Sequence, residues 1–326
     1  MSRKILVTGG AGFIGSNFIH HVLATTDWQV VNLDLLTYAG NLENLTEIES
    51  DPRYTFVQGD IADGAFVDQL FAKEHFNGVI NFAAETHVDR SIVDSSPFIR
   101  TNIVGTHLLL EACRKYDVPR YHQVSTDEVY GDLGDDSSEF FTEETPIDPN
   151  CPYAAAKASA DLLVLSWQRT YGLHATVSRA SNNYGPYQFP EKLIPFFLFR
   201  AMSGEDLPVY GDGKNIRDWL YVRDHCEAIR RIFEKSEPGE VWNIGGHNEK
   251  TNLEITDLIL KTTGSDSQIK FVEDRKAHDR RYAIDASKIE KALGWTPAHT
   301  FEEALPLTIE WYRQHRDWVE SCRKKV

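Results

Sequence analysis

The sequence predicts an α/β protein: a doubly wound parallel sheet of the Rossmann type joined to a smaller α/β unit. Three observations carry that reading. The chain opens on a short apolar run that leads into a glycine-rich turn, a second apolar run ends on an acidic residue, and later apolar runs alternate with helical patterns. With 326 residues, 41% of them apolar, the chain can bury a large core as one large domain or two intimately joined ones.

The first element is Lys4-Ile5-Leu6-Val7-Thr8, which reads as a strand. Gly9-Gly10-Ala11-Gly12-Phe13-Ile14-Gly15 follows as a turn, and a helix starts beyond it. Glycines at 9, 12 and 15 let the backbone turn sharply, let a pyrophosphate approach the main chain and let the helix pack close to the sheet. Free amides at that helix start, with the positive end of its dipole, suit phosphates. The second run, Val30-Val31-Asn32-Leu33, ends at Asp34. An acid there hydrogen-bonds adenosine ribose hydroxyls and repels a 2′-phosphate, so the pattern favours NAD over NADP.

Apolar runs at 54–57, 78–82, 121–124 and 175–177 each border an amphipathic stretch, the rhythm of a parallel sheet covered on both faces. Past Ser181 that rhythm loosens, with clusters at Gly185-Pro186 and Gly211-Asp212-Gly213. Residues 1–180 are therefore expected to form the dinucleotide-binding domain and to carry the catalytic groups. Residues 181–326 are expected mainly to form a substrate domain over the carboxyl ends of the strands, with some chain crossing back. A last helix is expected from 301 to about 322, with Trp311, Tyr312 and Trp318 as packing aromatics.

Charge excludes several partners. The 49 acids against 34 bases give −15, which disfavours nonspecific binding to nucleic acid or an anionic membrane. No apolar segment approaches the roughly 20 residues needed to span a bilayer, and the amino terminus reads as a strand rather than a signal peptide, so the cytoplasm is the expected location. The cysteines, Cys113, Cys151, Cys226 and Cys322, are scattered without the close pairs of zinc or redox motifs, so neither disulfide nor metal is expected. An anionic substrate then needs local positive charge, for which Lys192, Arg217, Arg275, Arg280 and Arg281 are candidates in the carboxyl-terminal half.

The chemistry concentrates in two strings. Tyr153 and Lys157 lie one helical turn apart in a stretch rich in Ala and Leu, so the ammonium is expected near the phenol, favouring a phenolate that takes a hydroxyl proton. Ser125-Thr126-Asp127-Glu128-Val129-Tyr130-Gly131 adds two carboxylates beside that pair. The combination suits a dehydration built around a hydride transfer. Adjacent residues on a regular strand point to opposite faces, so the segment must turn at the strand end for both acids to serve one sugar. Asp127 as an acid must also stay protonated above its usual ~3.9, which needs burial or a like charge such as Glu128.

The glycine spacing with Tyr-x-x-x-Lys resembles the extended short-chain dehydrogenase/reductase family. Further strings are similar to its nucleotide-sugar 4,6-dehydratases from about residue 3 to about residue 300: 37–41, Ala83 to Ser91, Ser181 to Pro195, Arg217 to Val222, Asn243 to Glu249 and His278 to Tyr282. The resemblance implies catalytic roles for Thr126, Asp127, Glu128, Tyr153 and Lys157. It implies that NAD touches Phe13, Ile14, Asp34, Thr37, Asp60, Ile61, Ala83, Thr101, Tyr153 and Lys157 as well as the glycine turn. It places a nucleotide sugar, glucose on thymidine diphosphate in preference to uridine diphosphate, against Thr86, Asn182, Lys192, Leu193, Arg217, Asn252, Arg275 and His278. It also implies a homodimer paired through helices at about 97–116 and 152–171.

Three departures from the family pattern stand out. Leu35 follows Asp34 where Lys is frequent, Thr86 replaces a frequent Ser, and Lys276-Ala277 interrupts what is often Pro-Gly. Thr86 keeps the hydroxyl, whereas the last change leaves the backbone between Arg275 and His278 free to depart from the family's turn. Two other readings share the cofactor site. A sugar-nucleotide 4-epimerase needs no paired acids, and a noncatalytic NAD-binding protein needs none of the constellation. His87 and His122 are expected in the core or behind the site rather than in it.

Overall fold

The computed structural model describes residues 3–134, 138–274 and 278–324. Six strands come first: β1 (Lys4–Thr8), β2 (Gln29–Asp34), β3 (Tyr54–Gln58), β4 (Gly78–Asn81), β5 (Tyr121–Thr126) and β6 (Ala175–Ala180). Later come β7 (Asn182–Tyr184), β8 (Leu207–Tyr210), β9 (Ile216–Tyr221), β10 (Val241–Ile244), β11 (Glu249–Thr251) and β12 (Ile269–Val272). The main sheet is parallel, in the order β3-β2-β1-β4-β5-β6-β10. Strand order reverses between β1 and β4, the switch point beyond whose carboxyl ends such sheets bind ligands.

Helices cover both faces: α1 (Phe13–Thr25), α2 (Gly64–Glu74), α3 (Val88–Val93), α4 (Ser96–Phe98), α5 (Thr106–Lys115), α6 (Pro152–Tyr171), α7 (Leu193–Met202) and α8 (Val222–Lys235). The rest are α9 (Asn252–Thr263), α10 (Ser287–Leu293), α11 (Phe301–Gln314) and α12 (Arg316–Arg323). A π-helical stretch, Ile99–Gly105, joins α4 to α5.

The alternation along β1 sets the layers. Ile5 and Val7 share a core with Phe18 and Val22 of α1 and Ile229 and Ile232 of α8. Leu6 faces the other way, into a core with Val67 and Leu70 of α2, Leu109 and Leu110 of α5 and Val164 of α6. Each such side chain contributes about 1.5–3 kcal/mol of burial. A third core binds the smaller unit, where Tyr184, Phe197, Trp219, Ile255, Phe301 and Tyr312 pack together. Its sheets are β11-β9-β7 and the parallel pair β12-β8.

Chain beyond residue 180 returns to the first unit twice. β10 pairs in parallel with β6, from Val241 opposite Val177 to Ile244 opposite Ala180, covering what would otherwise be an open strand edge. α8 brings Cys226, Ile229, Ile232 and Phe233 into the core of β1 and α1, and Ile289 and Trp295 join them. A single cut near 180 therefore does not divide the cores. The helix expected from 301 to about 322 is two helices, because His315 leaves the helical backbone at φ −116° and ψ 43°. Tyr312 and Trp318 are buried in the third core, with Trp311 half-buried against it. All four cysteines are buried thiols. No helix among the described residues is long and apolar enough to cross a membrane.

His122 belongs to the core. It is fully buried in β5, and its ring nitrogens meet the hydroxyls of Thr176 and Ser178, each at 2.9 Å. Burial lowers its pKa to about 3, with His225 adding to the shift. The folded chain therefore resists protonating this ring while the unfolded chain accepts the proton below about 6.5, so stability falls with pH through that window. Between pH 7 and pH 5 this one group should cost about 2 kcal/mol, at 1.36 kcal/mol per unit. Urea titrations at both pH values should show a smaller loss in His122→Gln than in the natural chain.

Candidate active site

The glycine turn has no room for side chains. Gly9 stands at φ +68°, and a Cβ on it would lie 2.6 Å from the Ala83 amide nitrogen. A Cβ on Gly15 would lie 2.3 Å from the Gly9 carbonyl oxygen. The start of α1 is thereby pressed against the ends of β1 and β4. Asp34, at the end of β2, accepts from the amides of Ala11 (2.9 Å) and Leu36 (2.8 Å), tying the second strand to the turn.

One cavity runs along these strand ends. Gly9, Gly12, Phe13, Ile14, Gly15, Asp34, Thr37, Asp60, Ile61, Ala83, Thr101, Tyr153 and Lys157 all line it. Asp60 there accepts from the Ala62 amide at 2.7 Å and pairs with Arg100 at 2.5 Å. A second cavity adjoins it, lined by Thr86, Asn182, Lys192, Leu193, Arg217, Asn252 and His278. Thr86, Glu128, Asn182 and Lys192 line both, so the two are continuous. Arg275, with Lys276 and Ala277, lies outside the described residues.

Between the cavities sits the acid-bearing turn. β5 ends at Thr126, and Asp127–Tyr130 turns at once into a 3-10 helix. The Thr126 hydroxyl accepts from the Glu128 amide and bonds the Asp127 carboxyl, both at 3.3 Å. It also lies near the Tyr153 phenol, so one hydroxyl caps the turn beside the tyrosine. Glu128 faces the cavities, whereas Asp127 is 2% exposed and turned behind it. Burial, then the charges of Glu128 and Asp218, raise the Asp127 pKa well above the usual carboxylate range, against Arg217. Burial is the larger cause and the neighbouring glutamate the second.

A family model for GDP-mannose 4,6 dehydratase matches residues 6–308. A dTDP-glucose 4,6-dehydratase of Neisseria meningitidis serogroup B is 51% identical over 340 residues, covering 98% of this chain and 96% of that protein. The chain belongs to the nucleotide-sugar 4,6-dehydratase family. The crystal structure of dTDP-glucose 4,6-dehydratase from Bacillus anthracis in complex with NAD matches with a TM-score of 0.92 at 48% identity, covering 98% of this chain and 100% of that one. That of the enzyme from Streptomyces venezuelae, with NAD and TYD bound, gives 0.94 at 46%, covering 98% and 99%.

In this member of the dehydratase family, the Tyr/Lys pair differs from the sequence expectation. Both side chains are buried, at 7% and 5% exposure. The Lys157 amine donates to the Val124 carbonyl at 2.6 Å. Burial lowers its pKa to about 8. Burial and the Glu128 charge push the Tyr153 phenol well up, so the phenol is held protonated rather than drawn to phenolate by the lysine. The physical reason is desolvation, which opposes the charged form of both groups.

The basic residues also divide. Arg217 is held over the Tyr282 ring at 4.2 Å, with its guanidinium on the carbonyls of Ile216 (2.7 Å) and Asp279 (2.8 Å). Lys192 donates to the Thr86 carbonyl at 3.2 Å, and His278 meets Asp274 at 2.6 Å. Arg280 pairs with Asp212 and Arg281 with Glu249, each through a closest contact shorter than 3 Å, and neither lines either of these two cavities.

Glu85, Asn183, Gln188 and Glu191, which lie in the family-like strings without a role assigned to them, line the first cavity, as does His225, which no string contains. Tyr210, Asp279 and Tyr282 join the second. His87, expected behind the site, lines the second cavity, caps α3 and lies 3.6 Å from Glu191. Among the described residues, Ser125 Oγ, Ser181 Oγ, Asn182 Oδ1, Gln188 Oε1 and His225 Nε2 are buried without a hydrogen-bond partner, and all five residues line the first cavity. A buried polar atom left unpaired costs about 1–3 kcal/mol, so these are places for a ligand's polar groups. With the glycine turn and Asp34, they fit a dinucleotide.

Proposed function

We propose that the protein converts dTDP-glucose to dTDP-4-keto-6-deoxyglucose, with NAD retained through the cycle. NAD, when bound, accepts hydride from carbon 4 of the sugar and gives it back at carbon 6. The glycine turn, Asp34, Thr37, Asp60, Ile61, Ala83, Thr101 and Lys157 would hold it.

The observation that carries the reading is the turn after β5, where Glu128 opens on both cavities while Asp127 sits behind it with its carboxyl kept protonated. Tyr153, in its deprotonated form, takes the proton of the sugar's 4-hydroxyl, which Thr126 aligns. The ketone at carbon 4 makes the proton on carbon 5 acidic. Glu128 removes that proton, and Asp127 supplies one to the departing 6-hydroxyl, so water leaves across carbons 5 and 6. Carbon 5 is reprotonated as hydride returns to carbon 6. Arg217, Lys192, Asn252 and His278 supply donors for the nucleotide's anionic half, and Thr86 and Asn182 for the sugar. A 4-epimerase has no elimination step and no use for Asp127 and Glu128.

Running the reaction in deuterated water tests this. The product should lack one water and carry solvent deuterium on carbon 5, with the carbon 4 hydrogen transferred to carbon 6. Recovery of a sugar nucleotide of unchanged mass, epimerised at carbon 4, would replace the reading with the epimerase one.

We infer a homodimer from the exposed apolar residues Ile99 and Val104, in the stretch joining α4 to α5, and Leu162 of α6. Light scattering on the purified protein should give the mass of two chains, and the mass of one would contradict it. The cytoplasm is the location proposed, with the product supplying rhamnose or another deoxysugar.

A further inference from the structure

Beneath Lys157 lies a buried ion pair that the proposed chemistry does not use. Asp161 is one further helical turn along α6 and is 0% exposed, and Arg179 of β6 is 3% exposed. The Arg179 Nε donates to Asp161 Oδ2 at 2.9 Å. The Ser125 hydroxyl, beside the acid-bearing turn, lies close enough to favour the charge on the same carboxyl, although it makes no hydrogen bond of its own among the described residues. The arginine also lies over the Tyr130 ring, 4.8 Å from its centre, and Tyr130 is the last residue of that turn. The Tyr130 hydroxyl in turn bonds Asn243 Oδ1 of β10 at 2.7 Å. One network therefore joins the helix bearing Lys157 to the turn bearing Asp127 and Glu128.

We propose that Asp161 is a positioning residue: held by Arg179, with the Ser125 hydroxyl close by, it keeps the Lys157 amine charged inside the cofactor cavity, while the same arginine fixes Tyr130 and the turn. The electrostatics agree, because burial works against the charge on Lys157 and Asp161 works for it. The other titratable groups nearby are Tyr153 on α6, Asp127, Glu128 and Tyr130 on the turn, Arg179 on β6 and Tyr121 further down β5. Among them Asp161 is the carboxylate acting on the amine. Removing one partner of a buried ion pair leaves the other charge unpaired and destabilises the fold, so a purely structural role would lower the melting temperature without moving the Lys157 titration.

This inference rests on the dehydratase reading, so the test has a readout that needs no turnover. The Lys157 amine is titrated in the NAD-loaded protein by NMR of isotope-labelled lysine, in the natural chain, Asp161→Asn and Ser125→Ala. The pH profile of kcat is measured alongside. In Asp161→Asn the amine should lose its proton at least one pH unit lower, with the alkaline limb of kcat moving equally, a tenfold loss on that limb. Ser125→Ala removes only a hydroxyl and should move both in the same direction by a smaller step, which keeps the test open if Asp161→Asn does not fold. An amine titration unmoved in every folded variant overturns the proposal. Absence of turnover in the natural chain counts against the dehydratase reading instead.

Discussion

Changing Asp127 to Asn and Glu128 to Gln together should stop water loss while leaving oxidation at carbon 4 intact. A positioned acid or base contributes about 10²–10⁴-fold, and residues acting as a unit are not additive, so the double variant should fall at least about 10³-fold in product formation without reaching the product of the two single losses. The single variants separate the roles. Glu128→Gln should end exchange of the carbon 5 hydrogen with solvent, because that carboxylate faces the cavities. Asp127→Asn should keep the exchange and slow departure of the 6-hydroxyl. Asn is nearly isosteric with the protonated acid, which burial already keeps neutral, so the fold should be unaffected. Mass spectrometry of the sugar nucleotide follows the loss of water, and nicotinamide absorbance follows the first oxidation. Dehydrated product at the normal rate would remove both acids from the reaction.

Tyr153→Phe should instead suppress the first oxidation, by about 10²–10⁴-fold. The phenyl ring remains among apolar neighbours, with Phe98 6.4 Å away between ring centres, so the variant should fold. Only the deprotonated phenol takes a proton, and burial with the Glu128 charge holds the phenol protonated, so activity of the natural chain should climb with pH until the Lys157 amine begins to lose its proton. That climb should vanish in Tyr153→Phe. Nicotinamide absorbance on adding substrate reports it, and an undiminished signal would move the base to another group.

Much of the fold was legible because it rests on local periodicity. The apolar run of β1 and the glycine turn predicted the first βαβ unit, and the turn after β5 was expected because adjacent acids on a strand diverge. The return of β10 and α8 was not placed, since it depends on which distant strand needs an edge covered. Arg217 and Arg281 look alike in sequence. Only the antiparallel pairing of β9 with β11 and the approach of residues 280–282 put Glu249 against Arg281 and leave Arg217 on the cavity wall. The aim of Lys157 was missed because its partner is the backbone carbonyl of Val124, which no side-chain pattern records. His225 was missed for a similar reason, as it reaches the cavity from α8, a segment that meets the others only in three dimensions.

The most direct test of the central claim is to give the purified protein dTDP-glucose and UDP-glucose separately, with no cofactor added, and follow each by mass spectrometry for loss of one water. Loss from dTDP-glucose alone is the expected result, and it would establish the elimination, the nucleotide preference and the retained NAD together. No loss from either nucleotide sugar, even after NAD is supplied, would contradict it.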